Sequence, residues 1–212
     1  MSLRFLSRLA APVLLGASAL FCLPALAADE AADALIKRLS TEVIDSIKSD
    51  KAIQAGDMSR VVTLVDTKIM PNVNFQRMTA SAVGPGWRQA TPEQQKRLQE
   101  EFKTLLVRTY AGALAQVSDQ VIAVKPLRAG AEDTEVIVRT EVKGRGDAIQ
   151  LDYRLEKTPG QGAGWKIFNL NVLGVWLVET YKSQFAQEIN TKGIDGLIGT
   201  LADRNKVNAK KS

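Results

Sequence analysis

The order of hydrophobic periodicities in this chain predicts an α+β fold: an antiparallel, curved sheet of about four strands surrounded by six to seven helices and enclosing an apolar cavity. Three observations carry that expectation. Apolar residues recur at helical spacing through the first half, the period switches to two between Gln120 and Val172, and helical spacing returns from Val178 onward. A sheet that curls around a long helix leaves a cone-shaped interior suited to an apolar occupant.

The segment Met1 to Ala27 has the form of a secretory signal: Arg4 and Arg8 at the start, an apolar run from Leu9 to Leu23, and Ala25-Leu26-Ala27 before a cleavage point at Ala28. The run is shorter than the roughly 20 residues of a spanning helix. Cys22 is the single cysteine of the chain and would leave with the signal. Phe21 before it departs from the small residue that lipoprotein processing needs. The expected organisation is a signal over 1–27, one domain over 28–205, and a polar, disordered tail over 206–212. Removing Arg4 and Arg8 takes the net charge from +5 to +3, a mild positivity without the dense basic stripe of a nucleic-acid binder.

The first helix is read from Leu35, Leu39, Val43 and Ile47, with Ile36 and Ile44 beside them. Asp57 caps a second, carrying Val61, Val62, Leu64, Val65 and Ile69, which Pro71 stops. A short helical stretch from Asn72 ends at Gly84-Pro85-Gly86. Thr91, Pro92 and Gln94 then form a capping box with proline at the first helical position. The helix they open runs to about Val117 and turns Leu98, Phe102, Leu105, Leu106, Tyr110, Leu114 and Val117 to one side.

The strands follow. Gln120 to Leu127 is the first, Val136 to Lys143 and Ile149 to Glu156 alternate apolar with charged positions, and Trp165 to Val172 is the fourth. Gly144-Arg145-Gly146-Asp147 and Pro159 to Gly164 are the hairpin links. Tyr181, Phe185 and Ile189 resume the helical spacing, and Ile194, Leu197, Ile198 and Leu201 form a last segment beyond Gly193.

The chemistry that is missing narrows the function. The chain contains no histidine, the side chain best suited to proton transfer near neutrality. Without histidine and with no cysteine after Cys22, zinc sites built from those ligands are excluded. No Gly-x-Ser-x-Gly elbow is present. The glycine-rich runs at Gly144 and Gly160 lead into strands, so they present no helix N-terminus to a phosphate. Glu100 and Glu101 face different directions on their helix. No catalytic residue, metal site or cofactor is expected.

The succession of local motifs resembles a known family. Pro71-Asn72-Val73-Asn74-Phe75 is followed by Gly84-Pro85-Gly86-Trp87-Arg88-Gln89-Ala90-Thr91-Pro92-Glu93-Gln94, by Thr109-Tyr110 within Phe102 to Leu114, and by Gly164-Trp165-Lys166-Ile167-Phe168-Asn169. Gly174-Val175-Trp176-Leu177-Val178, Tyr181-Lys182-Ser183-Gln184-Phe185 and Thr191-Lys192-Gly193-Ile194-Asp195-Gly196-Leu197 complete the series. In order and spacing, over essentially the whole chain after Ala27, this resembles the MlaC family, also called the toluene-tolerance auxiliary family. The resemblance implies a periplasmic carrier that holds a glycerophospholipid by its acyl chains. It also implies exchange with an outer-membrane lipoprotein–porin complex and an inner-membrane ABC transporter bearing an MCE-domain subunit, in a monomer that is not an enzyme. The alternatives are an exported adaptor with a solid core and, further off, a small lipid hydrolase.

Candidate lipid contacts follow from the inward faces: Leu105, Leu106, Tyr110 and Leu114 on the long helix, Val138, Val142, Ile149, Leu151 and Tyr153 on the sheet, and Val172, Val175, Trp176, Val178, Tyr181 and Phe185 where the last strand passes into helix. Arg77, Arg88, Arg145 and Lys182 are the candidate contacts for a headgroup or a partner surface. Phe75 and Trp87 are read as packing residues.

Overall fold

The computed structural model describes residues 30–130, 132–144 and 147–210. The expected signal over 1–27, Arg145 and the final Lys211 and Ser212 lie outside them.

The helical first half comprises α1 (Ala32–Ser49), α2 (Lys51–Gln54), α3 (Met58–Leu64), a π-helical turn (Val65–Ile69), a 3₁₀ turn (Met70–Asn72), α4 (Phe75–Val83), a second 3₁₀ turn (Gly84–Arg88) and α5 (Pro92–Ala115). Within this half, each α-helix after the first starts on a polar cap. Asp50 accepts from the amides of Ala52 and Ile53, Asp57 from those of Ser59 and Arg60, and Asn74 from that of Arg77. Thr91 and Gln94 close the reciprocal capping box of α5, satisfying donors that the helix itself leaves orphaned.

The sheet is one antiparallel meander, β1 (Val121–Val124), β2 (Glu135–Lys143), β3 (Ile149–Lys157), β4 (Trp165–Val172) and β5 (Val175–Trp176), in the order β1-β2-β3-β4-β5. It has one strand more than the four expected. β5 is only two residues long, and a periodicity cannot show in two residues. Val136, Val138, Thr140 and Val142 stand opposite Leu155, Tyr153, Leu151 and Ile149, so these eight share the inner face.

β4 departs from strict alternation. The register slips between Arg154 and Leu155: Asn169 faces Arg154, whereas Leu155 faces Ile167. Phe168 is the extra residue of a β-bulge, which returns Ile167 and Leu170, three positions apart, to the same inner face. The outer face there carries Phe168 and Asn169.

The last helix, α6 (Leu177–Ala209), is broken at Gly193, whose φ of 71° and ψ of −175° are non-helical. The break falls where Gly193 separates the two apolar runs in the sequence. Glu188 before it accepts hydrogen bonds from Lys192 and, across the break, from Thr200. The helix extends through Ala209, into the 206–212 segment expected as a disordered tail. Asn205 is itself buried, donating to the backbone oxygen and carboxylate of Glu101 on α5.

Three apolar clusters make up the core. Leu98, Phe102 and Leu105 of α5 pack with Met78 of α4 and with Phe185, Leu197, Ile198 and Leu201 of α6. Leu35, Ile36 and Leu39 of α1 lie on Val136, Val138, Leu155 and Ile167 of the sheet. Ile47, Ile53, Val61, Leu64 and Val65 gather against Ala111. The conformation of Gly193 is essentially restricted to glycine, and a Cβ there would meet no neighbouring atom. Gly193→Ala is therefore expected to destabilise the fold by about 1–3 kcal/mol through backbone strain alone, measured as a shift of the denaturant midpoint at unchanged slope.

Candidate apolar binding site

Where the three clusters meet they do not close. A cavity of about 240 Å³ remains, and its wall draws on all three: Phe75, Met78 and Leu106 from the first, Val73, Tyr153 and Ile167 from the second, and Val65, Ile69, Met70, Val107 and Leu114 from the third. Tyr110, Leu170, Leu177 and Lys103 complete it. The surface presented to the interior is apolar throughout; Lys103 contributes its aliphatic stem.

Local structure explains why these side chains converge. Lys103, Leu106, Val107, Tyr110 and Leu114 fall three, four, seven and eleven residues along α5, one helical stripe. The π-helical turn carries Val65 and Ile69, and Pro71 ends the helical run so that Val73 can pair in parallel with Ile167 at an isolated bridge. The bulge in β4 supplies Ile167 and Leu170.

Of the residues selected from the sequence, Leu106, Tyr110, Leu114 and Tyr153 line the cavity. Leu105 is on the opposite side of α5, in the first cluster, and Val138 is buried in the second. Val142 and Ile149 form one inner-face pair, and Leu151, Val172 and Val175 form the adjacent row. These continue the cavity's sheet wall toward an open end of the sheet, where Ile149 is 43% and Val175 52% exposed. Trp176 pairs with Asn171 on the outer face, its ring stacked under the Arg154 guanidinium. Val178 is buried, its amide donating to Asn169 Oδ1. Tyr181 and Phe185 pack edge-on against Phe102, at 4.9 and 5.2 Å between ring centroids. Val65, Ile69, Met70, Val73, Phe75, Met78, Lys103, Val107, Ile167, Leu170 and Leu177 line the cavity without being among the selected contacts; of these Phe75 alone is assigned a role from the sequence, as packing.

Three of the four selected cations come together elsewhere. Arg77, Arg88 and Lys182 line a hollow of about 510 Å³ on the outer face of the sheet, with Trp87, Arg154, Phe168 and Glu179. Arg77 bridges Glu135 and Glu156, each at 2.5 Å, and stacks on Phe168 at 3.6 Å; Arg154 pairs with Glu179. Hollow and cavity thus take side chains from opposite faces of β4.

The fold and the cavity define the class first: an α+β protein whose helices and open sheet enclose a wholly apolar pocket. The model of the MlaC protein family matches residues 37–203, and the chain belongs to that family. It is 29% identical over 176 residues to the toluene tolerance protein ttg2D of Pseudomonas putida, covering 79% of this chain and 80% of that one. It is 22% identical over 165 residues to the intermembrane phospholipid transport system binding protein MlaC of Haemophilus influenzae, covering 77% of each. Among solved structures, a phospholipid-binding protein from Ralstonia solanacearum, determined in complex with a phospholipid, superposes with a TM-score of 0.81. It is 47% identical in sequence, and the match covers 84% of this chain and 98% of that one.

The three tyrosines of the chain report on this interior. Burial pushes the phenols of Tyr110, Tyr153 and Tyr181 above their ordinary value of about 10. Desolvation disfavours the phenolate, so the unfolded chain loses these protons first and binds fewer than the folded one. Stability falls as pH rises through the window above about 10. Phenolate absorbance of the native protein is expected to titrate later than that of the protein in denaturant; coincident titrations would contradict the buried placement.

Proposed function

We propose that this protein is an exported phospholipid carrier that shelters acyl chains in the cavity between α5, the π-helical turn and the sheet. In this reading it is a periplasmic monomer. It passes lipid between an outer-membrane lipoprotein–porin complex and an inner-membrane MCE-domain ABC transporter, and so maintains outer-membrane lipid asymmetry. The observation that carries the reading is a cavity whose surface is apolar throughout. An occupant that fills it with methylenes gains about 0.8 kcal/mol for each one withdrawn from water.

The family, the phospholipid in the Ralstonia structure and the transport role in the name of the Haemophilus relative support the same ligand. The cavity is smaller than the roughly 300–1,000 Å³ of pockets for drug-sized ligands, so a two-chain lipid requires its walls to part or its chains to continue along Leu151, Val172 and Val175. An adaptor would be packed solid at this junction. For hydrolysis, neither serine, cysteine, aspartate nor glutamate lines the cavity, and the chain has no histidine to serve as a base near neutrality.

Filling the cavity tests the reading. Leu106→Trp is expected to cut uptake of a fluorescent phospholipid from vesicles by about tenfold or more, because a ring replaces the space an acyl chain needs. Val207→Ala, at an exposed position on α6, leaves uptake unchanged. Undiminished uptake by a folded Leu106→Trp variant would remove the cavity from the binding path.

A further inference from the structure

The cavity wall contains one cation. Lys103 occupies the α5 stripe that otherwise brings Leu106, Val107, Tyr110 and Leu114 to the interior, and its stem lies along the cavity while its ammonium reaches Asp66 Oδ1 at 2.9 Å. Asp66 belongs to the π-helical turn that also supplies Val65 and Ile69 to the cavity. The ion pair therefore spans the rim from one wall to the other. The side chains are 32% and 44% exposed, and a pair so wet contributes little to stability.

We propose that Lys103 is the anchor for the phosphodiester of the bound lipid; this rests on the carrier reading above. An amphiphile with its chains in the cavity must leave its charged group at the rim. Lys103 is the cation there whose stem follows the chains inward and whose head meets water. The phosphodiester carries one formal negative charge, as does Asp66. It can replace the carboxylate as partner of the ammonium without leaving a cation unpaired. That exchange releases the polar tie across the rim and opens it to the headgroup, while the apolar cluster of Val65, Ile69, Val107 and Leu114 keeps the π-helical turn on α5.

The test compares dioleoyl phosphatidylglycerol with dioleoylglycerol, which has the same chains and no phosphate, offered at equal concentration and scored by native mass spectrometry. Lys103→Gln is expected to lower the phospholipid's occupancy by about tenfold, as loss of one charge-assisted contact does, while binding dioleoylglycerol as the unmodified protein does. Lys103→Arg keeps the preference. Asp66→Asn, which frees the ammonium in advance, raises phospholipid occupancy. If Lys103→Gln binds both lipids as before, or loses both in parallel with its melting temperature intact, the anchor is refuted while the carrier reading stands. If the unmodified protein takes up neither lipid, both fall.

Discussion

An apolar space inside a small domain tends to disappear. Surrounding side chains gain dispersion contacts by moving into it, and native interiors pack as densely as organic crystals. The architecture of this protein is governed by the need to resist that collapse. Three apolar cores meet around the cavity, Val73 packing against two of them and Val43 against another two, so that a side chain moving into the space gives up packing in its own core.

The polar contacts around those cores hold the walls in place. Arg77 fixes α4 to the outer face of the sheet through Glu135, Glu156 and the Phe168 ring. Asn205 ties the end of α6 to Glu101 of α5, and Glu188 bridges the Gly193 break to Thr200. Isolated contacts of this kind are individually worth about 1 kcal/mol or less. Their use here is geometric: the contacts of Arg77 and Asn205 each join two elements at a point outside the cavity, and that of Glu188 holds the two halves of α6 across the break. The bulge in β4 has the same logic, since it turns two apolar residues inward where strict alternation would turn one.

Much of this frame was legible in the residues. The capping box at Thr91, the stop at Pro71, the hairpin links and the break at Gly193 are local signals, and each has the structural consequence its chemistry implies. The α5 stripe likewise pointed Leu106, Tyr110 and Leu114 inward. What could not be read was which apolar residues face the cavity and which face one another. Leu105 and Leu106 are adjacent in the apolar run read as one face of α5, yet they point to different sides: the first is core and the second lines the cavity. Ile69 and Met70 lie in π and 3₁₀ turns, where the 3.6-residue rule does not apply. Ile167 and Leu170 owe their common face to the bulge. Trp176, aromatic and beside the last helix, proved to stack under Arg154 on the outer face. These outcomes depend on tertiary register, and no single-element periodicity contains it.

The central claim is that the cavity exists to hold a lipid. It is tested most directly by purifying the protein under native conditions, extracting it with organic solvent and identifying the extract by mass spectrometry. A glycerophospholipid in near-stoichiometric amount is the expected result. A folded preparation that is free of lipid, and that takes none up from vesicles, would contradict the account and leave an adaptor as the better description.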